Sequence, residues 1–256
     1  MLDDESRVLL SSIKYGENNN KRVSGSDYIN ASFVDGALND QYKYIACQGP
    51  TRETVPDFIR MIVEYNIKIV ICACNEFEGG RLKCHRYWTD KFNESFYIYD
   101  DFFVTLKSQP VIYDGCIVRH LVVSFPSQAF EGTAAYDMVK HLNDEHGFAE
   151  IEFIQYHVTN WPDHGVPDNV ESIMSILNLV RQDMLVNNKI ENETSNRKIP
   201  LSKSYLAVHC SAGCGRTGTI IAIDQVWTLM NENVSQSLTT TFSLFFFICL
   251  SIFNLL

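Results

Sequence analysis

The chain has 256 residues, 46% of them hydrophobic, and a formal net charge of −10; that is room for one large α/β domain with a substantial core, and an acidic balance that argues against nucleic acid as a general partner. Its eight cysteines lie at irregular spacings, in apolar strand-like runs or in one small-residue loop. That is neither a zinc pattern nor a secreted disulfide framework, and a reducing cytoplasm fits it best. Met1-Leu-Asp-Asp-Glu-Ser-Arg is acidic and too poor in apolar residues for a signal peptide.

In chain order, Ser6 to Leu10 predicts a short strand, Tyr15 to Gly25 a polar Asn/Lys-rich loop, and Ser26 to Asp35 a strand by its alternation. Tyr42 to Pro50 is a second strand, ended by Gly-Pro. Thr51-Arg-Glu-Thr-Val-Pro then opens a helix, with an N-cap candidate and early acidic residues, that runs to Tyr65. Ile67 to Cys74 is nearly continuously apolar, as in a buried central strand. Glu76 to Trp88 mixes turn glycines with charge and then aromatic residues, the pattern of a hairpin at an edge. Phe96 to Leu106, Val111 to Phe125 and Ile151 to Val158 are β-rich runs that extend the sheet, and Pro126 to Gly147, without a clear period, reads in part as an insertion.

Asn160-Trp-Pro-Asp-His-Gly-Val-Pro167 follows the last of these runs. Two prolines and a glycine forbid regular structure there, and the Trp can anchor the ends of a loop that acts as a lid. Ser172 to Met184 reads as an amphipathic helix, and Val186 to Ser204 as a polar, Asn-rich insertion expected to be disordered at the surface.

Tyr205-Leu-Ala-Val-His-Cys-Ser-Ala-Gly-Cys-Gly-Arg-Thr-Gly-Thr219 is an apolar strand running into a small-residue loop, and Ile220 to Met230 continues as a helix. Ser211, Ala212, Gly213, Cys214 and Gly215 leave little bulk between Cys210 and Arg216, so successive backbone N–H groups can turn inward as an anion nest at a helix N-terminus. The same field favours a thiolate at Cys210. Arg216 offers a planar fork for two phosphoryl oxygens, and Thr217 can donate a hydrogen bond to the thiolate as it leaves. Taken alone, a Gly-rich turn merely closes a strand–helix unit; His209, Cys210, Gly213, Gly215, Arg216 and Gly218 together are far more specific.

These residues resemble the phosphate-binding signature of the cysteine-based protein tyrosine phosphatases, and Cys214 is similar to the PEST-type non-receptor members. The strand at Tyr28-Ile-Asn-Ala, the Gln48-Gly-Pro turn and the Trp161-Pro-Asp triplet resemble further family motifs, with Ile59 standing where the family usually places Trp. The resemblance implies a twisted mixed β-sheet flanked by helices. It makes Asp163 the general acid that protonates the leaving tyrosyl oxygen, and it makes Glu78 and Lys83 candidates for an ion pair that steadies the acid-bearing loop. It implies phosphotyrosine-containing proteins as partners, a role in signal transduction, and no metal or cofactor.

Residues 1–230 then read as a catalytic domain incomplete at both ends. The family's pocket-setting Tyr would fall just upstream of Met1, and no counterpart is visible of the Gln-bearing loop that positions the hydrolytic water. Residues 231–256 read as an atypical apolar tail, either an untypical terminus or a short membrane anchor. Its apolar part falls near or below the roughly 20 residues a spanning helix needs, which favours the former. The alternatives to an active tyrosine phosphatase are a phosphotyrosine-binding protein of low turnover and a dual-specificity phosphatase. A sulfurtransferase would share the Cys loop but has no use for a Trp-Pro-Asp acid loop.

Overall fold

The computed structural model describes residues 5–13 and 27–231, apart from 93, 100, 143, 144, 164, 168, 196 and 197. The Asn/Lys-rich loop read at Tyr15 to Gly25 and the tail beyond Asn231 lie outside the described residues.

The elements in order are β1 (Arg7–Leu9), β2 (Tyr28–Val34), β3 (Lys43–Gln48), α1 (Val55–Glu64), β4 (Ile69–Cys72), β5 (Phe77–Glu78), β6 (Arg81–Leu82), β7 (Ser95–Tyr99), β8 (Phe102–Leu106), β9 (Val111–Tyr113), β10 (Cys116–Pro126), α2 (Tyr136–Val139), β11 (Phe148–Val158), α3 (Val170–Ser195), β12 (Tyr205–Cys210) and α4 (Gly215–Asn231). One sheet runs in the order β1-β2-β3-β12-β4-β11-β10-β8-β7, with β9 on β10, while β5 and β6 form a separate hairpin. The pairs β3–β12, β12–β4 and β4–β11 are parallel, and the flanking pairs are antiparallel. The four parallel strands therefore release their following loops at one edge, where open α/β sheets build their sites. Strands covered on both faces must be apolar throughout; β4 is buried along its whole length and β12 from Leu206 onward.

Pleating assigns the helices to faces. Tyr42, just before β3, and Tyr44 within it both donate to the carboxylate of Asp224 on α4, at 2.6 and 2.7 Å, and Arg181 of α3 pairs with the same wholly buried group. Thus α3 and α4 cover one face. His209, which opposes Cys47 in the register, points to the other, where Phe58 of α1 packs edge-on to it. Pro56 opens α1 at a position where its missing N–H costs nothing.

Two helices differ from the sequence reading. α4 begins at Gly215 rather than at Ile220, so Arg216, Thr217 and Gly218 form its first turn. α3 continues past Met184 to Ser195, through most of the stretch expected to be disordered. The asparagines that suggest a loop here bond within the helix or to the chain that follows it. Asn187 donates to Asp183 O at 2.8 Å and Asn188 to Ile199 O at 3.2 Å, while Asn192 donates to that same carbonyl and accepts from the Ile199 N–H. This clasp returns the chain to β12. Residues 127–142 form short helical turns around α2 that carry Phe130 into the core.

Candidate active site

β12 delivers Cys210 to the edge of the sheet, and the chain turns at once into α4. Gly213 makes the turn, with φ of +79°, and an added Cβ would stand 2.5 Å from the carbonyl carbon and oxygen of Cys47. Only glycine fits both demands. The Gln48-Gly-Pro turn packs against the other side of the loop: Gly49 N–H donates to Ser211 O at 3.1 Å, and a Cβ there would meet Cys210 O at 2.3 Å. Ser211 Oγ donates to Lys83 O at 2.9 Å, fixing the loop to the hairpin side. Gly215 has open space where its Cβ would be, so the cradle between Cys214 and Arg216 is left clear.

The nucleophile candidate is 4% exposed. Burial alone would raise its pKa, yet the net shift is downward, because Thr217 and the backbone of Gly213 beside it favour the thiolate. His209 behind it is buried and held neutral, its pKa lowered to about 4 by desolvation. A carbonyl only accepts, so the 3.1 Å contact with Cys210 O places the proton on Nδ1; Nε2 then accepts from the Tyr87 phenol at 2.9 Å. Cys214 sits at the mouth with a thiol pKa raised by partial burial and by Cys210.

Arg216 and Asp163 meet through residues that sequence reasoning paired differently. Glu78 does not pair with Lys83. It accepts from both terminal nitrogens of Arg216, at 2.7 and 2.8 Å, while Lys83 pairs with Asp163. Arg216 Nη1 also donates to Trp161 O at 3.1 Å, and its Nη2 is 3.5 Å from Asp163 Oδ1. One guanidinium therefore holds the hairpin and the acid loop together. Burial works against the Glu78 carboxylate, but the hydrogen bonds from Arg216 and the Asn75 N–H outweigh it and lower its pKa. A cleft lined by Glu78, Arg81, Lys83, Trp161 and Asp163 opens beside these groups.

Two positioning residues, Asn75 and Tyr87, escaped the sequence reading, which names Trp161 as an anchor of the acid-bearing loop. Trp161, 5% exposed, donates from its indole to Gly165 O at 3.0 Å and closes the acid loop on itself, while its carbonyl takes Arg216. Asn75 bonds Thr159 O at 3.0 Å, tying the end of β4 to the start of that loop. Tyr87 fixes His209. An Asn at the junction of a buried strand and a hairpin was the available signal for Asn75; nothing local marks the Tyr87 contact.

The family model described as protein-tyrosine phosphatase matches residues 1–245, past the boundary at 230 read from the sequence. The chain is 35% identical to human tyrosine-protein phosphatase non-receptor type 12 over 205 residues, 80% of this chain and 21% of that protein. It is 32% identical to mouse tyrosine-protein phosphatase non-receptor type 18 over 242 residues, 94% of this chain and 43% of that one. It thus spans less than half the length of either relative. The solved catalytic domain of human non-receptor type 18 superposes with a TM-score of 0.68 at 28% identity, covering 96% of this chain and 70% of that one. A complex of type 18 with HER2 phosphopeptides gives 0.66 at 27% identity, covering 96% and 70% respectively.

Proposed function

Because the chain belongs to the protein-tyrosine phosphatase family, we propose that it hydrolyses phosphotyrosine in proteins through a cysteinyl-phosphate intermediate. The observation that carries this reading is a nearly buried Cys210 at the end of β12, joined by a loop of small residues to Arg216 in the first turn of α4. A thiol in the core has no use for surroundings that favour its anion. A nucleophile does.

In the first step the Cys210 thiolate attacks phosphorus in line, the S–P bond forms and the P–O bond to the phenol breaks. The nest at Ser211 to Gly215 and the Arg216 guanidinium hold the equatorial oxygens, and Asp163 gives its proton to the leaving oxygen. A phosphate dianion arriving at Arg216 brings like charge to Asp163 at the moment the acid must be protonated. In the second step Asp163, now the base, takes a proton from water as it attacks phosphorus, and thiolate leaves with a hydrogen bond from Thr217. Phosphotyrosine peptides are the substrate class, in keeping with the phosphopeptide complexes of the type 18 enzyme. Among the described residues no helix is long and apolar enough to cross a membrane.

The test is turnover of a phosphotyrosine peptide against its phosphothreonine counterpart. Cys210→Ser should abolish turnover and keep peptide binding, since the nest persists around a poor nucleophile; wild-type rates in that variant exclude the covalent route. Asp163→Ala should slow the first step about 10²–10⁴-fold with affinity preserved, and less for an activated nitrophenyl leaving group. Equal losses on both leaving groups would remove the acid role.

A further inference from the structure

The strands of the β5–β6 hairpin are two residues long, and Gly79-Gly80 between them has φ of +56° and +75°. Two successive left-handed residues make the tight turn that fixes a hairpin's register, and here the register sets Glu78 opposite Arg81 and Phe77 opposite Leu82. A cross-strand glutamate and arginine ordinarily pair. These two do not. Both oxygens of Glu78 accept from Arg216, and one accepts from the Asn75 N–H as well, at 3.0 Å. Arg81 is exposed, and among the described residues its guanidinium has no hydrogen bond or ion pair. Of the charges that line the cleft between the hairpin and the acid loop, Glu78 is matched by Arg216 and Lys83 by Asp163, so the positive charge of Arg81 is left over. On a chain of net charge −10 that is a local reversal of sign. Phe77, 65% exposed, lines the same cleft and sets an apolar wall beside the cation.

We infer, on the phosphatase reading above, that Arg81 and Phe77 form a specificity subsite that takes an acidic side chain flanking the phosphotyrosine of the substrate. A guanidinium offers a carboxylate two parallel N–H donors, and the methylenes of a glutamate can lie against the Phe77 ring, which keeps water from one side of the pair. The chemistry makes no call on Arg81, since the nest takes the phosphate and Asp163 serves the leaving oxygen. Arg81 instead adds binding that is equal in ground and transition states, and such binding shows in KM rather than in kcat. The hairpin that carries it pairs with no other strand, so the subsite is set by the Gly-Gly turn and by the grip of Arg216 on Glu78.

The experiment uses the full chain and a series of phosphotyrosine peptides in an alanine background, each with a single glutamate at one of the positions flanking the phosphotyrosine. Expected is a gain in kcat/KM over the all-alanine peptide of about two- to fivefold, confined to one position or to neighbouring ones, carried by KM and shrinking as salt rises. Arg81→Gln should remove that gain. Arg81→Glu should turn it into a loss and pass the advantage to lysine at the same position. Binding of the same peptides to Cys210→Ser, followed by fluorescence anisotropy, reads the subsite without the chemistry. Ordinary turnover with a flat series, or a glutamate gain that survives in Arg81→Gln, overturns the subsite and leaves the phosphatase standing. No turnover in the wild type, with an Arg81-dependent glutamate gain in binding, does the reverse. A flat series in binding overturns the subsite whatever the turnover.

Discussion

The two halves of the candidate site are built in different ways. Around Cys210 the geometry is held by main chain: a buried parallel strand, a positive-φ glycine wedged on Cys47, and a helix that starts within the loop. Around Asp163 it is held by side chains, with Lys83, Glu78, Arg216 and the Trp161 carbonyl linking two segments that share no sheet. A backbone cradle is fixed when the core folds; an ion-paired loop can exchange partners with a charged ligand. The nucleophile side is thereby suited to binding a constant group, phosphate, and the acid side to moving as substrate arrives.

The largest effect should come from Gly213→Ala. It forces an L-residue into the left-handed region and pushes a methyl to 2.5 Å from a buried carbonyl, so beyond the ~1–3 kcal/mol of backbone strain the nest itself must deform. Turnover should fall at least as far as in Asp163→Ala, with peptide binding lost as well. Retained binding would mean that side chains, not main chain, hold phosphate.

Glu78→Gln should come next. It removes a bidentate ion pair whose partners are 9% and 8% exposed, at a cost of ~1.5–3 kcal/mol. Glu78 has a folded-state pKa below its ordinary value, so the stability it contributes is complete above the unfolded glutamate range near pH 4.3 and is lost as pH falls through the lowered folded value. The Tm gap between wild type and variant should accordingly be widest at neutral pH and close on acidification. A gap that widens in acid would assign the stabilisation to another group.

The smallest change is expected from Lys83→Met. Its pair with Asp163 has side chains 21% and 31% exposed and is worth about 0–1 kcal/mol, so Tm should barely move while the salt dependence of turnover weakens. An equal loss of stability in Lys83→Met and Glu78→Gln would erase the distinction between the buried and the solvated anchor.

The nucleophile half was legible in the sequence because it is contiguous: strand, small-residue loop and Arg lie within seven residues of one another from Cys210 to Arg216. Trp161-Pro-Asp was legible because proline and glycine leave few backbone choices. The partners of Glu78 and Lys83 were not. Arg216 is 138 residues from Glu78, and their meeting depends on four parallel strands discharging at one edge, which no local pattern encodes. The end of α3 was missed for a different reason. Asparagine lowers helix propensity by offering the backbone other partners, and here Asn192 spends both ends of its amide on Ile199, turning a helix-weakening residue into the latch of the next connection.

The buried carboxylate of Asp224 gives α4 the mechanics of a lever. The phenols of Tyr42 and Tyr44 and a guanidinium from α3 converge on it, making it a fulcrum eight residues along the helix from Arg216, or ~12 Å at the α-helical rise. A pivot of about 5° at that point carries the arginine through roughly 1 Å, a misplacement of the size that costs about a hundredfold in rate. The rigidity of Arg216 would then be set two turns along its own helix, by two tyrosines that touch no substrate.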